Sequence, residues 1–373
     1  MRLRGTLVTA DAVVDDGVVD IDGDRIVSVA PAVECAGPLP DPVGIVYPGL
    51  VDIHNHGGGG HSFTTTAADA AAAAAAHHHR HGTTTLLASL VTAPADELLA
   101  QLDTLRPLVA PGTIAGIHLE GPFLSHARCG AQDPRYLLDP DPELTHRLLA
   151  GGDVRMMTVA PELPGVTEVT RILDQHGVKI ALGHSDSDFD TFRAALAADR
   201  VVTHLANGMP PLHHRSSGPV AAALSGPAVL EVIGDGVHVD PGFVALAFAA
   251  APARVALITD AMAAAGMPDG TYQLGPQAVT VVDGVARIAV ATAAGLGSIA
   301  GGTGHLVEIV ARAVHASRVP LVDAVRAASL TPARAVGLDT DCGALQPGAY
   351  ADAVVVDDRL RLRRVLRRGR WLT

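Results

Sequence analysis

Short apolar runs alternate with longer Ala/Leu-rich stretches, and the alternation repeats eight times along the chain. Such runs predict strands, and the stretches between them predict helices that cross over a parallel sheet. The strands are expected at 45–56, 83–91, 114–120, 154–160, 179–184, 201–204, 230–238 and 255–260. Helical segments are expected at 67–79, 95–109, 142–150, 166–175, 189–198 and 243–250. Eight βα units in series predict an α/β fold, a (β/α)8 TIM barrel, whose chemically active groups stand at the C-terminal ends of its strands.

Composition agrees with that pattern. A chain of 373 residues suits a barrel carrying a smaller appended domain. Its 48% hydrophobic content includes only 3% aromatics, as expected where Ala-rich helices cover buried parallel strands. No apolar run approaches the roughly 20 residues that span a bilayer. The first residues lack the apolar segment and cleavage site of a signal peptide, and acids appear by Asp11. Cys35, Cys129 and Cys342 are too few and too scattered for a disulfide framework, which fits a reducing cytoplasm. The net charge of −12 argues against nucleic acid or an anionic membrane as partner. The one basic run, 359–370, alternates with Leu and Val and predicts a strand with a solvated face. An anionic substrate must therefore be met by local charge.

The expected strand ends are chemically loaded. Pro48-Gly49-Leu50-Val51-Asp52-Ile53-His54-Asn55-His56 ends in two histidines one residue apart, and residues i and i+2 of a strand share a face. Glu120 ends the third strand, His184 the fifth and His204 the sixth, His238 follows the seventh, and Asp260 ends the eighth. Taken singly, each has an ordinary explanation as a surface polar group, a cap or an ion-pair partner. Gathered at one end of one barrel they describe a metal site. Imidazole with carboxylate suits Zn2+, with Fe2+, Co2+ or Mn2+ as substitutes. The cluster His77-His78-His79-Arg80-His81 is read differently. Consecutive helix residues fan around the axis, and cationic groups at a helix C-terminus complement its dipole. The glycine-rich stretch 295–304 lacks the Gly-Lys-Ser/Thr ending of a nucleotide loop.

Five segments resemble the amidohydrolase superfamily, and within it the family of N-acetylglucosamine-6-phosphate deacetylases. They are 48–60, His118-Leu119-Glu120-Gly121-Pro122-Phe123, Leu182-Gly183-His184-Ser185, Thr203-His204-Leu205-Ala206-Asn207-Gly208-Met209 and Ile258-Thr259-Asp260-Ala261. The resemblance implies a small β-sandwich domain formed from both termini, 1–47 and 341–373, beside a barrel at 48–340 with a β excursion at about 272–290. It also implies a role in amino-sugar catabolism or cell-wall recycling. Glu120, His184 and His204 resemble the principal metal ligands, and His54 and His56 the pair that admits a second ion. Asp260 resembles the catalytic aspartate that moves a proton from the activated water to the departing amine and stands beside the metal. His238 would steady the tetrahedral species. Phosphate recognition falls to Asn207, Gly208 and Arg215, which His213 or His214 can supplement. Ile299 and Ala300 read as apolar wall. A homodimer is implied as well, with part of the pocket supplied by the neighbouring subunit.

The segment 125–134 reads as a lid. Gln132 stands there where many family members carry histidine, so an amide would contact the substrate. Cys129 either touches the substrate or is an ordinary loop thiol. Two other readings compete. A cyclic-amide hydrolase or deaminase often places a carboxylated lysine on the fourth strand, and 154–160 contains none. A non-catalytic scaffold would be free to lose ligands, and all are present here.

Overall fold

The computed structural model describes residues 1–289 and 297–372. Residue 290 of the expected β excursion, residues 295–296 of the glycine-rich stretch and residue 373 lie outside them. Eight parallel strand positions form the barrel. Leu50–Asp52 pairs with Thr83–Leu86, which continues past Leu87 into Ala88–Leu90. From Ala88–Leu90 a seven-stranded ladder runs through Ile117–Glu120, Val154–Val159, Lys179–Leu182, Val201–Val202, Val229–Val232 and Val255–Leu257. The ring closes above its last strand, where Asn55 bridges Ala261 and the Asp260 N–H donates to the His54 carbonyl at 3.0 Å.

Alternation along each strand divides the core. Val51, Leu87, Met156, Ala181, Val201 and Ala256 fill the barrel interior, while Leu50, Leu86, Met157, Leu182, Val202 and Leu257 pack outward against the helices. Both sets are buried, which is why the strands read as unbroken apolar runs. Helix starts are written locally. Asp141 accepts from the N–H groups of Glu143 and Leu144 to cap Pro142–Leu149, and Asp188 caps Phe189–Ala195 in the same way.

The expected first strand, 45–56, is two strands. Ile45–Pro48 pairs with Arg2–Val8 and Ala353–Val356, and only Leu50–Asp52 enters the barrel. Gly49 makes the transfer, since a Cβ there would lie 2.1 Å from Thr84 Oγ1. The small β domain of the two termini is a sheet of seven strands, from Arg370–Trp371 at one edge to Arg25–Pro31 at the other, over Leu7, Val19, Ile26, Val46, Val355 and Leu366. The seventh barrel strand stops at Val232 instead of 238, so His238 stands on the following turn.

The arginine-rich C-terminal strand, Leu362–Arg367, departs from its expected solvated face. Arg363 and Arg364 are exposed, but Arg367 turns beneath the barrel and donates from Nε to the Thr84 carbonyl at 2.9 Å. Three antiparallel strands, Gly270–Leu274, Gln277–Val282 and Val285–Ile288, form a separate flap after the last barrel strand. No helix among the described residues is long and apolar enough to cross a membrane.

Candidate metal centre

The strand ends deliver two triads of ligand-type groups, His54–His56–Asp260 and Glu120–His184–His204, each with its ligand atoms within 4.8 Å of one another. Glu120 links them, with Oε1 3.0 Å from His184 Nε2 and 2.9 Å from His204 Nε2, and Oε2 3.3 Å from His56 Nε2. His184, His204 and Asp260 take left-handed backbone angles, φ 45°, 27° and 46°. Such conformations cost on the order of 1–3 kcal/mol each and persist where the surroundings fix them, which is common at functional sites. A bend at Ile53 interrupts the alternation after the first strand. Val51 and Ile53 pack in the barrel interior, and beyond the bend His54 and His56 face the centre while Asn55 donates to Asp52 Oδ2.

The protons of the centre are pinned from outside. His54 Nδ1 donates to Glu231 Oε2 at 3.0 Å, His56 Nδ1 to the Ser89 carbonyl at 3.1 Å, and His184 Nδ1 to the Arg128 carbonyl at 2.8 Å. These partners are acceptors, so each neutral ring keeps a bare Nε2 that points inward. His54 Nε2 and His56 Nε2 are 3.1 Å apart, as are His184 Nε2 and His204 Nε2. The lone pairs of His54 and His56 set this close, with Glu120 and Asp260 beside them, call for positive charge in their midst. Neutral imidazole with its far N–H held by an acceptor is the arrangement that metal-binding histidines adopt, and this donor set fits a divalent ion.

The local field agrees. Burial opposes protonation of His56, but Asp260 and Glu120 outweigh it and lift the ring to about 9. His54 rises well above 6.5 against the same burial, through Asp260 and Glu231. Burial also works against the charged forms of Glu120 and Asp260, and the His54 ring opposite holds both below the usual carboxylate range. The centre is a buried trap for cations.

Above it opens a cavity of about 310 Å³ lined by His56, Glu120, Gln132, His184, His204, Asn207, Gly208, His238, Asp260 and Ile299. His238 is held by Asp235, whose Oδ2 accepts from its Nδ1 at 2.7 Å. Burial lowers its basicity, yet Asp235 outweighs that and raises it above 6.5. Gly208 has φ 61°, and a Cβ there would lie 3.0 Å from His184 Nδ1. Gln132 lies at the wall, but its amide is engaged with the centre: Nε2 donates to Glu120 Oε2 at 2.6 Å and Oε1 accepts the Thr92 N–H at 2.8 Å. Ala300 is buried against Met262 and Val279 behind the wall. Cys129 is half-buried on the 125–134 segment and does not line the cavity. Arg215 is exposed on the loop after Pro210-Pro211, away from the lining, and its guanidinium has no partner among the described residues.

Sequence reasoning assigned no role to Glu231, Asp52 or His118. Glu231 is fully buried on Val229–Val232 and also accepts the His204 N–H at 3.1 Å. Its signal was an acid in the middle of a strand otherwise made of Val and Leu, which demands a polar partner inside the barrel. Asp52 accepts from Thr259 and Asn55, tying the first strand to the last. Burial pushes its carboxyl up to about 6. His118 bridges Ser89 and Thr158 beneath the centre, at 2.9 Å from each.

The amidohydrolase family pattern matches residues 45–372. An N-acetylglucosamine-6-phosphate deacetylase from Vibrio furnissii is 34% identical over 367 residues, 95% of this chain and 90% of that one. An N-acetylgalactosamine-6-phosphate deacetylase from Escherichia coli is 35% identical, covering 87% of each chain. A crystal structure of a mutant N-acetyl-D-glucosamine-6-phosphate deacetylase from Mycobacterium smegmatis, in complex with N-acetyl-D-glucosamine-6-phosphate, superposes with a TM-score of 0.94 at 42% identity. The match covers 100% of this chain and 98% of that one.

Proposed function

This chain belongs to the amidohydrolase family, and we propose that it hydrolyses the acetamide of N-acetyl-D-glucosamine 6-phosphate to D-glucosamine 6-phosphate and acetate. The observation that carries this reading is the convergence of inward Nε2 lone pairs with Glu120 and Asp260 at the floor of a sugar-sized cavity. The chain around that centre is similar, over nearly its whole length, to deacetylases of this phosphorylated sugar.

Glu120, His184 and His204 would hold one divalent ion, Zn2+ by the preference of imidazole with carboxylate, and His54, His56 and Asp260 would give capacity for a second. Such an ion polarises a carbonyl and lowers the pKa of bound water from 15.7 toward 7. Asp260 acts as base toward the attacking water and as acid toward the leaving nitrogen, a task suited to a carboxylate kept ionised by the rings around it. His238, steadied by Asp235, donates toward the acetyl oxygen as charge develops there. Asn207 and Gly208, which line the cavity, are assigned to the phosphate and Ile299 to the apolar wall. Arg215, exposed and outside its own cavity, reaches the phosphate in a second copy, which makes the active form a homodimer. Three free cysteines support a cytoplasmic setting.

The galactosamine epimer is a second reading, favoured by the 35% identity to the Escherichia coli enzyme. Dependence on the ion is tested by stripping the protein with a chelator and following acetate release from N-acetylglucosamine 6-phosphate. Loss of activity and its return with Zn2+ are expected. Full turnover by metal-free protein would contradict the mechanism.

A further inference from the structure

A third cluster of ligand-type groups stands apart from the barrel-mouth centre. His77 and His81 lie at the end of the helix Ala68–Arg80, and His305 stands immediately before the helix Leu306–His315. One ring nitrogen from each falls within 4.8 Å of the others. Residues four apart on a helix share a face, so the fanning of consecutive histidines does not separate 77 from 81. His77 Nε2 and His305 Nε2 are 2.9 Å apart, and the His81 and His305 rings stack at 3.9 Å.

One outer nitrogen is held as in the barrel-mouth centre. His81 Nδ1 donates to the His77 carbonyl at 2.7 Å, which leaves Nε2 as its free lone pair. Glu308 Oε2 accepts the His305 backbone N–H at 2.9 Å and lies 3.6 Å from His305 Nδ1, which sets an acidic group behind that ring. Acceptors placed behind imidazoles in this way orient metal ligands. Space beside the inner nitrogens is kept open by Gly266, φ 72°, where a Cβ would sit 2.7 Å from His77 Nε2 and 3.0 Å from His305 Nε2. His77 and His81 are partly exposed, which gives an ion access from solvent.

We propose that His77, His81 and His305 form a binding site for a divalent transition-metal ion of the zinc class, distinct from the barrel-mouth centre. Three imidazoles without a carboxylate in the primary set select Zn2+, Ni2+, Cu2+ or Co2+ over Mg2+ and Ca2+. The site is a structural brace. It ties the end of the first helix to the start of Leu306–His315, beside loops already joined to one another where Gly59 donates to Ala265, Gly60 to Ala263 and Gly266 to Thr303 at 2.8–2.9 Å.

The test is zinc per chain, by mass spectrometry of the whole protein equilibrated with Zn2+ and then dialysed. Wild type is compared with His81→Asn and His305→Asn, with circular dichroism and gel filtration certifying the fold. Each folded variant is expected to hold one zinc fewer than wild type and to lose the zinc-dependent rise in melting temperature that the site provides. His77→Gln replaces any variant that fails to fold. Equal zinc content in wild type and any folded variant would overturn the proposal.

Discussion

Glu231 Oε2 accepts the Nδ1 proton of His54 at 3.0 Å while taking the backbone N–H of His204 at 3.1 Å. One buried carboxylate thus orients a ligand of each triad. Glu231→Gln keeps the shape but weakens the acceptor, and should lower metal affinity by about 10–100-fold, the range seen when such supporting groups are changed. Competition with a chromophoric chelator measures this. Wild-type affinity in a folded variant would remove Glu231 from the centre.

Asp260 lies 3.2 Å from His56 Nε2 and 3.4 Å from His54 Nε2, at the cavity floor. Asp260→Asn preserves volume and removes the proton carrier. A fall in kcat of about 10²–10⁴-fold is expected, with the fold and the ion at Glu120, His184 and His204 retained. Near-normal kcat would refute the assigned role.

Much of this was legible in the sequence because parallel strands buried on both faces are mostly apolar, and several His, Glu and Asp residues gathered at their ends stand out against that background. The eight-fold alternation therefore marked the barrel, and the ligand-type residues at strand ends marked the cluster that the fold assembles. Two things were hidden. The run 45–51 is apolar across both strands, so its hydrophobic pattern did not separate them, and the transfer between sheets at Gly49 depends on close approach to Thr84. The partnership of His77 with His305 joins positions 228 residues apart, and no local spacing encodes it. Glu231 was visible as an acid in an apolar strand but had no partner until the barrel closed.

His78 gives a pH dependence of definite sign. It is fully buried, donates from Nε2 to the Gly57 carbonyl at 2.8 Å, and is held down at about 3 by burial. Unfolded, it titrates near 6.5. As pH falls below 6.5, the unfolded chain binds a proton that the folded chain refuses, so stability is lost between about 6.5 and 3. His78→Gln keeps a donor and cannot titrate. Between pH 7 and pH 5 the unfolding free energy of metal-free wild type should fall by about 2 kcal/mol more than that of the variant. Equal losses in denaturant titrations would contradict the assignment.

The Arg215 guanidinium is a fork-shaped cation with no partner among the described residues of its own chain. Arg215→Ala should raise KM for the phosphorylated sugar by about 10–100-fold, as expected for loss of a charge-assisted hydrogen bond. The unphosphorylated sugar should be unaffected. Equal effects on both would place Arg215 outside the phosphate site.

The central claim is reaction and substrate together, and acetate release by the zinc-loaded protein tests it most directly. N-acetylglucosamine 6-phosphate, N-acetylgalactosamine 6-phosphate and free N-acetylglucosamine are compared side by side. Rapid release from the glucosamine phosphate, slower release from its epimer and little from the free sugar is the predicted result. No release from either phosphate ester by protein that retains its metal would contradict it.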